Sequence, residues 1–133
     1  MYVPYEHLPA AIKKLYGIRD KFLHLVIITE LRMMARDGLP MSQAKNGPIV
    51  GIHFTMKREH EKILEVLPII EGALAEFGVK PHFGKMFLFS GAKFEQLYGE
   101  DLVKLRQLIA QHDPKGKFKN AFLEKYILRQ AKL

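Results

Sequence analysis

Two stretches of the sequence alternate in polarity and are rich in β-branched residues, from Leu25 to Met34 and from Ile49 to Met56. β-branched side chains suit the pleated surface of a sheet, and successive side chains of a strand point to opposite faces. The connection between the two stretches carries Asp37-Gly38, Pro40 and Asn46-Gly47-Pro48, which interrupt regular structure. The sequence therefore predicts two strands, joined by an irregular connection, that pair antiparallel.

Helical periodicity flanks this pair on both sides. Tyr2-Val3 is predicted to be a short strand stopped by Pro4, and Glu6 to Phe22 a helix. Arg58 to Phe77 is the clearest helix, and Gly78 suits the position just after its end. Its apolar stripe consists of Ile63, Val66, Leu67, Ile70, Leu74 and Phe77.

The order strand, helix, strand, strand, helix is that of the split βαβ arrangement of ferredoxin-like domains. A fourth strand is expected at Val79 to Lys85 or at Met86 to Phe89. Three further helical segments are predicted: a short one at Phe94 to Tyr98, one at Glu100 to Gln111, and one at Ala121 to Arg129 that is capped by Asn120. Asp113-Pro114-Lys115-Gly116 is predicted to be a turn. We therefore expect an α+β fold, with a ferredoxin-like antiparallel sheet, helices on one face and additional C-terminal helices. The length of 133 residues favours one domain over residues 1–133.

Composition narrows the classes of function. The chain has no cysteine, which excludes disulfides and thiolate metal sites and is compatible with a cytoplasmic protein. Its longest apolar run, Leu23 to Leu31, is far shorter than the about 18 residues that a membrane span needs, and no signal peptide is recognisable. The formal charge of +7 permits a nucleic acid, a membrane surface or an anionic ligand as a partner.

One face of the predicted sheet is polar. If helices cover the apolar face, then Glu30 and Arg32 of the first strand share the other face with His53 and Thr55 of the second. Residues two apart on a strand lie about 7 Å apart, so these groups can reach one small ligand. A carboxylate, a guanidinium, an imidazole and a hydroxyl together can bind several hydroxyl groups and polarise one. A solvated sheet face with an ordinary ion pair is the alternative.

A short irregular segment, Lys80-Pro81-His82-Phe83-Gly84-Lys85, follows the second helix. The residue before a proline avoids the helical region, so Lys80 should be extended. The segment is either a basic surface loop or a part of the polar site. We predict that Lys85 points into the site and that Lys80 stays solvated.

The sequence lacks the motifs of several common kinds of functional site. There is no Gly-x-Gly-x-x-Gly turn, no phosphate loop and no nucleophile elbow. No second histidine stands at ligand spacing from His53, so no metal site is predicted. Glu30 would repel phosphate and Phe54 belongs to the opposite face, which argues against a nucleic-acid partner.

Four motifs in order resemble the C-terminal substrate domain of the FAD-dependent alditol and aldonolactone oxidases, in the vanillyl-alcohol-oxidase superfamily. The family's Glu-x-Arg strand matches Thr29-Glu30-Leu31-Arg32, and its His-Phe-Thr strand matches Ile52-His53-Phe54-Thr55. Its Arg-Pro-His-Trp-Gly-Lys segment matches Lys80 to Lys85, and its Asp-Pro-x-Gly-x-Phe-x-Asn-x-(Phe/Tyr)-Leu ending matches Asp113 to Leu123. The resemblance covers essentially the whole chain.

The resemblance implies roles for the matched residues. Glu30, Arg32, Thr55 and Lys85 would bind substrate hydroxyls in front of the flavin. His53 would orient the reacting hydroxyl or accept its proton, so that His53, Lys85 and Arg32 form the catalytic set. His82, with Lys85, would line the flavin side of the site.

The chain also departs from the family pattern. The resemblance covers no FAD-binding domain, so the chain is expected to be a fragment, a separately encoded half or a remnant. Phe83 replaces the usual tryptophan, and the segment from Met33 to Ser42 lacks the family's acidic pattern.

We therefore expect the substrate-binding half of an FAD-dependent polyol or aldonolactone oxidase, inactive without a flavin domain. An exposed docking face would favour self-association. The alternatives are a free-standing sugar- or anion-binding module and a basic nucleic-acid-binding module.

Overall fold

The computed structural model describes residues 1–128. These residues form two compact units, Met1–Leu88 and the segment that begins at Phe89. The single substrate domain predicted for residues 1–133 stays a prediction. Within residues 1–128, none of the helices combines the length and apolar character needed to cross a bilayer.

The first unit contains three strands and two helices in the predicted order. They are β1 (Tyr2–Pro4), α1 (Leu8–Gly17), β2 (Val26–Met34), β3 (Ile49–Met56) and α2 (His60–Leu74). Single three-ten turns at Tyr5–His7, Arg19–Lys21, Leu23–Leu25 and Ala75–Phe77 flank the helices and lead into β2.

The strands form an antiparallel sheet in the order β1-β3-β2. Lys80 pairs antiparallel with Tyr2 on the free side of β1, through two backbone hydrogen bonds of 2.8 Å. This single bridge is all that forms of the predicted fourth strand, and Met86–Phe89 is not a strand. The predicted α+β class with an antiparallel sheet is confirmed.

The predicted first helix is too long. The sequence predicts helix from Glu6 to Phe22, whereas α1 covers Leu8–Gly17. Pro9 lies in the first turn, where its missing N–H costs nothing. Gly17 ends the helix, because glycine loses the most backbone entropy there. Phe22 is nevertheless buried, in edge-to-face contact with Phe54 at a ring-centroid distance of 5.4 Å.

The core of the first unit lies on the apolar face of the sheet. Val3, Val50 and Ile52 are at most 1% exposed, and α1 and α2 contact each other. The buried residues of α2 are Ile63, Val66, Leu67, Ile70, Glu71 and Leu74, which confirms the predicted stripe except that Phe77 is only half-buried.

The regular alternation of β2 fails at its start. A bulge separates Val26, opposite Met56, from Ile28, opposite Thr55. Neighbouring residues of β3 point to opposite faces, so Val26 and Ile28 point to opposite faces too. Strict alternation along β2 would have put them on one face. From Ile28 onward the predicted faces are confirmed.

The second unit contains two helical segments that meet at Gly99, as the sequence predicts. The helix α3 (Gly91–His112) begins after Ser90, whose hydroxyl accepts from the Lys93 N–H at 3.2 Å. It is kinked at Gly99, where φ is 43° and ψ is −119°. Phe94 packs on Tyr126 at a centroid distance of 4.6 Å, and Arg106 pairs with Glu95.

The C-terminal turn and cap form as predicted. The Asp113 carboxylate accepts from the backbone N–H groups of Lys117 and Phe118 at 2.7 and 2.9 Å. The Asn120 side chain accepts from the Leu123 N–H at 3.0 Å, before a π-helical turn at Leu123–Ile127. The predicted end of this helix at Arg129 lies outside the described residues.

Gly78 provides a test of the first unit. It has a φ of 65° in the left-handed region, and no atom lies within 4 Å of the place where a Cβ would stand. Since the cost of alanine is then conformational, Gly78→Ala should lower the free energy of unfolding by about 1–2 kcal/mol. Urea denaturation measures the change through its midpoint.

Gly72→Ala is the matched control. Gly72 lies exposed in α2 and also has open space around it. Alanine should stabilise the protein there by about 0.5–1 kcal/mol, because it loses less backbone entropy in a helix. Equal effects of the two changes would contradict the conformational explanation.

Candidate functional site

The polar face of the sheet is set by the register of β2 and β3. Glu30 stands opposite His53, and Arg32 stands opposite Gly51. Directly opposite residues of an antiparallel pair point to the same face. The predicted grouping of Glu30, Arg32, His53 and Thr55 on one face is therefore what this register produces.

Glu30 is the centre of a hydrogen-bonded cluster. Its Oε2 lies 2.8 Å from His53 Nδ1. Arg32 Nη2 donates to both carboxylate oxygens of Glu30, at 3.2 Å and 3.1 Å. The side chains of Glu30 and His53 are only 41% and 33% exposed, whereas that of Arg32 is 67% exposed. The cluster thus has a half-buried carboxylate–imidazole pair and an open guanidinium.

The electrostatics of the cluster keep Glu30 ionised. The hydrogen bond from His53 holds the pKa of the Glu30 carboxyl below its usual range. The hydrogen bonds and the positive charge of Arg32 lower this pKa further. An ionised carboxylate only accepts hydrogen bonds, so the nitrogen of His53 that faces it carries a proton. In the neutral imidazole, Nε2 then keeps its lone pair.

A cleft of about 400 Å³ brings together three of the predicted site residues, whereas Glu30 and His82 are not among the residues that line it. His53, Thr55 and Lys85 line it, together with apolar neighbours such as Phe54 and Met86. Arg32 is not among the residues that line the cleft. A larger cavity of about 470 Å³ lies in the second unit, lined by residues that include Arg106, and holds none of the predicted site residues.

The Lys80 to Lys85 segment is a tight turn beside the sheet. Pro81 is fully buried. The backbone N–H groups of Gly84 and Lys85 donate to Nδ1 and to the carbonyl oxygen of His82, both at 3.0 Å. His82 is exposed, and the pKa of its imidazole is lowered first by burial and next by the charge of Lys85.

The prediction that Lys80 stays solvated is wrong. Lys80 is half-buried, and its Nζ donates to the carbonyl oxygen of Gln43 at 3.3 Å. The Gln43 side-chain amide donates in return to the carbonyl oxygen of Pro81 at 3.4 Å. The segment is thus tied to the long connection between β2 and β3, a contact that no local pattern indicates.

Tyr2 is a residue of this face that the sequence analysis missed. It stands opposite Gly51 in the register, and its ring stacks on that of His82 at a centroid distance of 5.7 Å. Its signal in the sequence is weak, because a strand of three residues shows no alternation to place it on a face.

The connection that departs from the family pattern is ordered by Asp37. One carboxylate oxygen accepts from the Leu39 N–H at 2.9 Å, and the other accepts from the Ser42 hydroxyl at 2.6 Å. Among residues 1–128, no group of three or more histidine, aspartate or glutamate side chains is placed to hold a metal ion.

Comparison with known proteins identifies the family. The family model described as D-arabinono-1,4-lactone oxidase matches residues 2–126. The chain belongs to the D-arabinono-1,4-lactone oxidase family. An alditol oxidase from Streptomyces sp. (strain IKD472 / FERM P-14339) is 33% identical to this family member over 121 residues. The match covers 91% of this chain and 29% of the relative, so the chain spans less than a third of the relative's length.

The hydrogen bonds of the cluster predict how the pKa of Glu30 changes when a partner is removed. His53 and Arg32 both lower the pKa of Glu30, so His53→Ala and Arg32→Ala should each raise it. Because the folded pKa is depressed, the contribution of Glu30 to stability is present above its unfolded pKa and lost as pH falls through the folded pKa. Carboxyl ¹³C NMR titration of Glu30 measures each shift.

His24→Ala is the control for this titration, since His24 is exposed and makes no bond to Glu30. An unchanged pKa of Glu30 in His53→Ala would contradict the cluster.

Proposed function

We propose that this chain is the substrate-binding half of an FAD-dependent oxidoreductase that oxidises a CH–OH group of a polyol or an aldonolactone. The observation that supports it is the Glu30–His53–Arg32 cluster on the open face of the sheet, with Thr55 and Lys85 beside His53. The family membership by itself supports an oxidoreductase of this family. The substrate-binding role is the finer proposal.

The side chains of this site fit the flavin ring of FAD and not its phosphates. A dinucleotide's phosphates need a glycine-rich turn or a helix N-terminus that presents backbone N–H groups. The sequence contains no glycine-rich turn of this kind, and we propose that a separate flavin domain holds the phosphates. His82 and Lys85 suit the edge of a flavin ring, since His82 offers a ring N–H and Lys85 offers positive charge at the cleft. When bound, FAD supplies the two-electron acceptor for the substrate carbon. Without that domain, the chain should be inactive.

His53 is the proposed proton acceptor. With Glu30 ionised and accepting from Nδ1, the Nε2 lone pair of the neutral imidazole can accept the proton of the reacting hydroxyl. Glu30 then stabilises the imidazolium and fixes the orientation of the ring, as carboxylates do for catalytic histidines. The 2.8 Å contact provides this geometry before any ligand binds.

Arg32 and Lys85 are proposed to bind the substrate and to balance charge. Each can donate to several hydroxyl oxygens, and a fixed cation stabilises negative charge that develops nearby. Thr55, exposed at the same cleft, adds a hydroxyl that can donate or accept.

A hybrid enzyme tests this proposal. Residues 2–126 would replace the matching segment of the Streptomyces alditol oxidase, with bound flavin as the check of folding. We expect oxidation of xylitol or sorbitol. Glu30→Ala and Lys85→Ala should each lower kcat/KM about 10- to 100-fold, the loss expected for a hydrogen bond to a charged group.

Glu65→Ala and Lys13→Ala are the matched controls, since both side chains are exposed away from the cleft. They should leave kcat/KM unchanged. Unchanged turnover in Glu30→Ala and Lys85→Ala would refute the assignment of the site. Sugar binding by the isolated chain, with a flavin-loaded hybrid that has no activity, would favour a free-standing binding module instead.

The partner is proposed to cover the apolar side of β2. Leu31 and Met33 share the face of Val50 and Ile52 but are 47% and 70% exposed, because β2 lies at the edge of the sheet. An uncovered apolar edge strand favours association. We propose that a flavin domain covers this surface in the working enzyme.

Alone, the chain should self-associate through the same surface. Light scattering after size exclusion should find species larger than a monomer at high concentration. A Leu31→Lys and Met33→Lys double variant should be shifted toward the monomer, because lysine resists burial. Leu108→Lys in α3, where the side chain is 53% exposed, is the control and should not shift the distribution. A monomeric parent chain would contradict the proposal.

A further inference from the structure

The ring of Tyr2 lies across the centre of the sheet. Tyr2, Gly51 and Arg32 form one row, because Tyr2 stands opposite Gly51 and Gly51 stands opposite Arg32. A Cβ added to Gly51 would lie 3.2 Å from Cε1 and 3.4 Å from Cδ1 of Tyr2. The same Cβ would lie 3.6 Å from the terminal methyl group of Met34, on β2. Gly51 thus leaves room for the ring to lie over β3.

The Tyr2 ring also contacts His82. The two rings stack at a centroid distance of 5.7 Å with an interplanar angle of 19°. The contact is held by the backbone, because Tyr2 and Lys80 exchange two hydrogen bonds of 2.8 Å only two residues before His82. The ring therefore fills the space between the strand row and the turn that carries His82.

We propose that Tyr2 is a positioning residue for His82, and that Gly51 is the slot that allows the ring to take this place. The role rests on the proposed function only in assigning His82 to the flavin side of the site. The stacking and its dependence on Gly51 stand on the contacts above.

The titration of His82 agrees with this arrangement. Burial is the first cause of its lowered pKa, followed by the charge of Lys85. The Met1 amino group and His53 also lower this pKa, whereas a backbone hydrogen bond at His82 raises it. Gly84 N–H donates to Nδ1, so the proton of the neutral ring lies on Nε2. A stacked ring beside the imidazole favours this neutral form, because it excludes water.

The titration of Tyr2 reflects its burial and the charge of Arg32. Burial raises the pKa of its hydroxyl, and the charge of Arg32 opposes this rise. Arg32 is therefore close enough to the Tyr2 hydroxyl to act on it. The Tyr2 ring thus stacks on the imidazole of the turn, and its hydroxyl is influenced by the guanidinium of the Glu30 cluster.

The test is ¹H and ¹⁵N NMR of the His82 ring in the full chain of 133 residues. Ring protons that lie over an aromatic face are shielded, so Tyr2→Leu should move the His82 ring protons downfield. Without the tyrosine ring, the His82 imidazole is more exposed to water, so its pKa should rise toward the ordinary value of about 6.5. Tyr2→Phe keeps the ring and should retain both the shielding and the lowered pKa.

Gly51→Ala tests the slot without removing the ring. The added Cβ would force the ring to shift by a few tenths of an ångström, so the His82 signals should move in the same direction as in Tyr2→Leu but by less. Gly38→Ala is its control, since a Cβ there meets no atom within 4 Å. Tyr16→Leu is the control for Tyr2, because Tyr16 is 66% exposed.

The outcomes separate this inference from the proposed function. His82 signals that stay unchanged in Tyr2→Leu overturn the positioning role, whether or not a hybrid enzyme is active. Signals that stay unchanged in Gly51→Ala overturn the slot, and this variant decides the case if Tyr2→Leu fails to fold. A hybrid without turnover would count against the proposed function and would leave the His82 shifts as they are.

Discussion

The register between β2 and β3 is the constraint on which the candidate site depends. Glu30 meets His53 only because these residues stand directly opposite each other in the antiparallel pair. A slip of one residue would move Glu30 and Arg32 to the apolar face, since side chains alternate along a strand. If β3 shifted instead, the buried side chains of Val50 and Ile52 would be exposed, so their burial fixes the faces of β3. Core packing and site geometry are thus fixed by one pairing.

The chemistry of the site follows from placing one carboxylate among several cations. Glu30 neutralises part of the charge of Arg32 and sets the proton of His53 on the nitrogen that faces it. Lys85 contributes positive charge at the cleft without a carboxylate of its own in any described ion pair. The face can therefore bind hydroxyl groups and accept a proton, and it retains positive charge for a negatively charged group. Tyr2 and the turn that carries His82 border the same row of the sheet.

Sequence patterns were informative where the physical cause is local. The bounds of β3, the faces of β2 from Ile28 onward and the left-handed Gly78 follow from alternation and backbone preference. Contacts between distant segments gave no such signal. Lys80 reaches Gln43 across 37 positions, and the place of Tyr2 over Gly51 depends on a strand too short to show a pattern. The break at Gly99 between the two predicted helical segments has a local cause, because glycine readily takes the positive φ found there.

The most direct measurement of the central claim is the rate at which substrate reduces the flavin of the hybrid enzyme under anaerobic conditions. If His53 accepts the hydroxyl proton, His53→Ala should slow this single turnover about 10²- to 10⁴-fold, with a much smaller effect on substrate binding. Glu30→Gln should slow it as well, because it removes the charge that stabilises the imidazolium. A rate of reduction in His53→Ala equal to that of the parent hybrid would contradict the account.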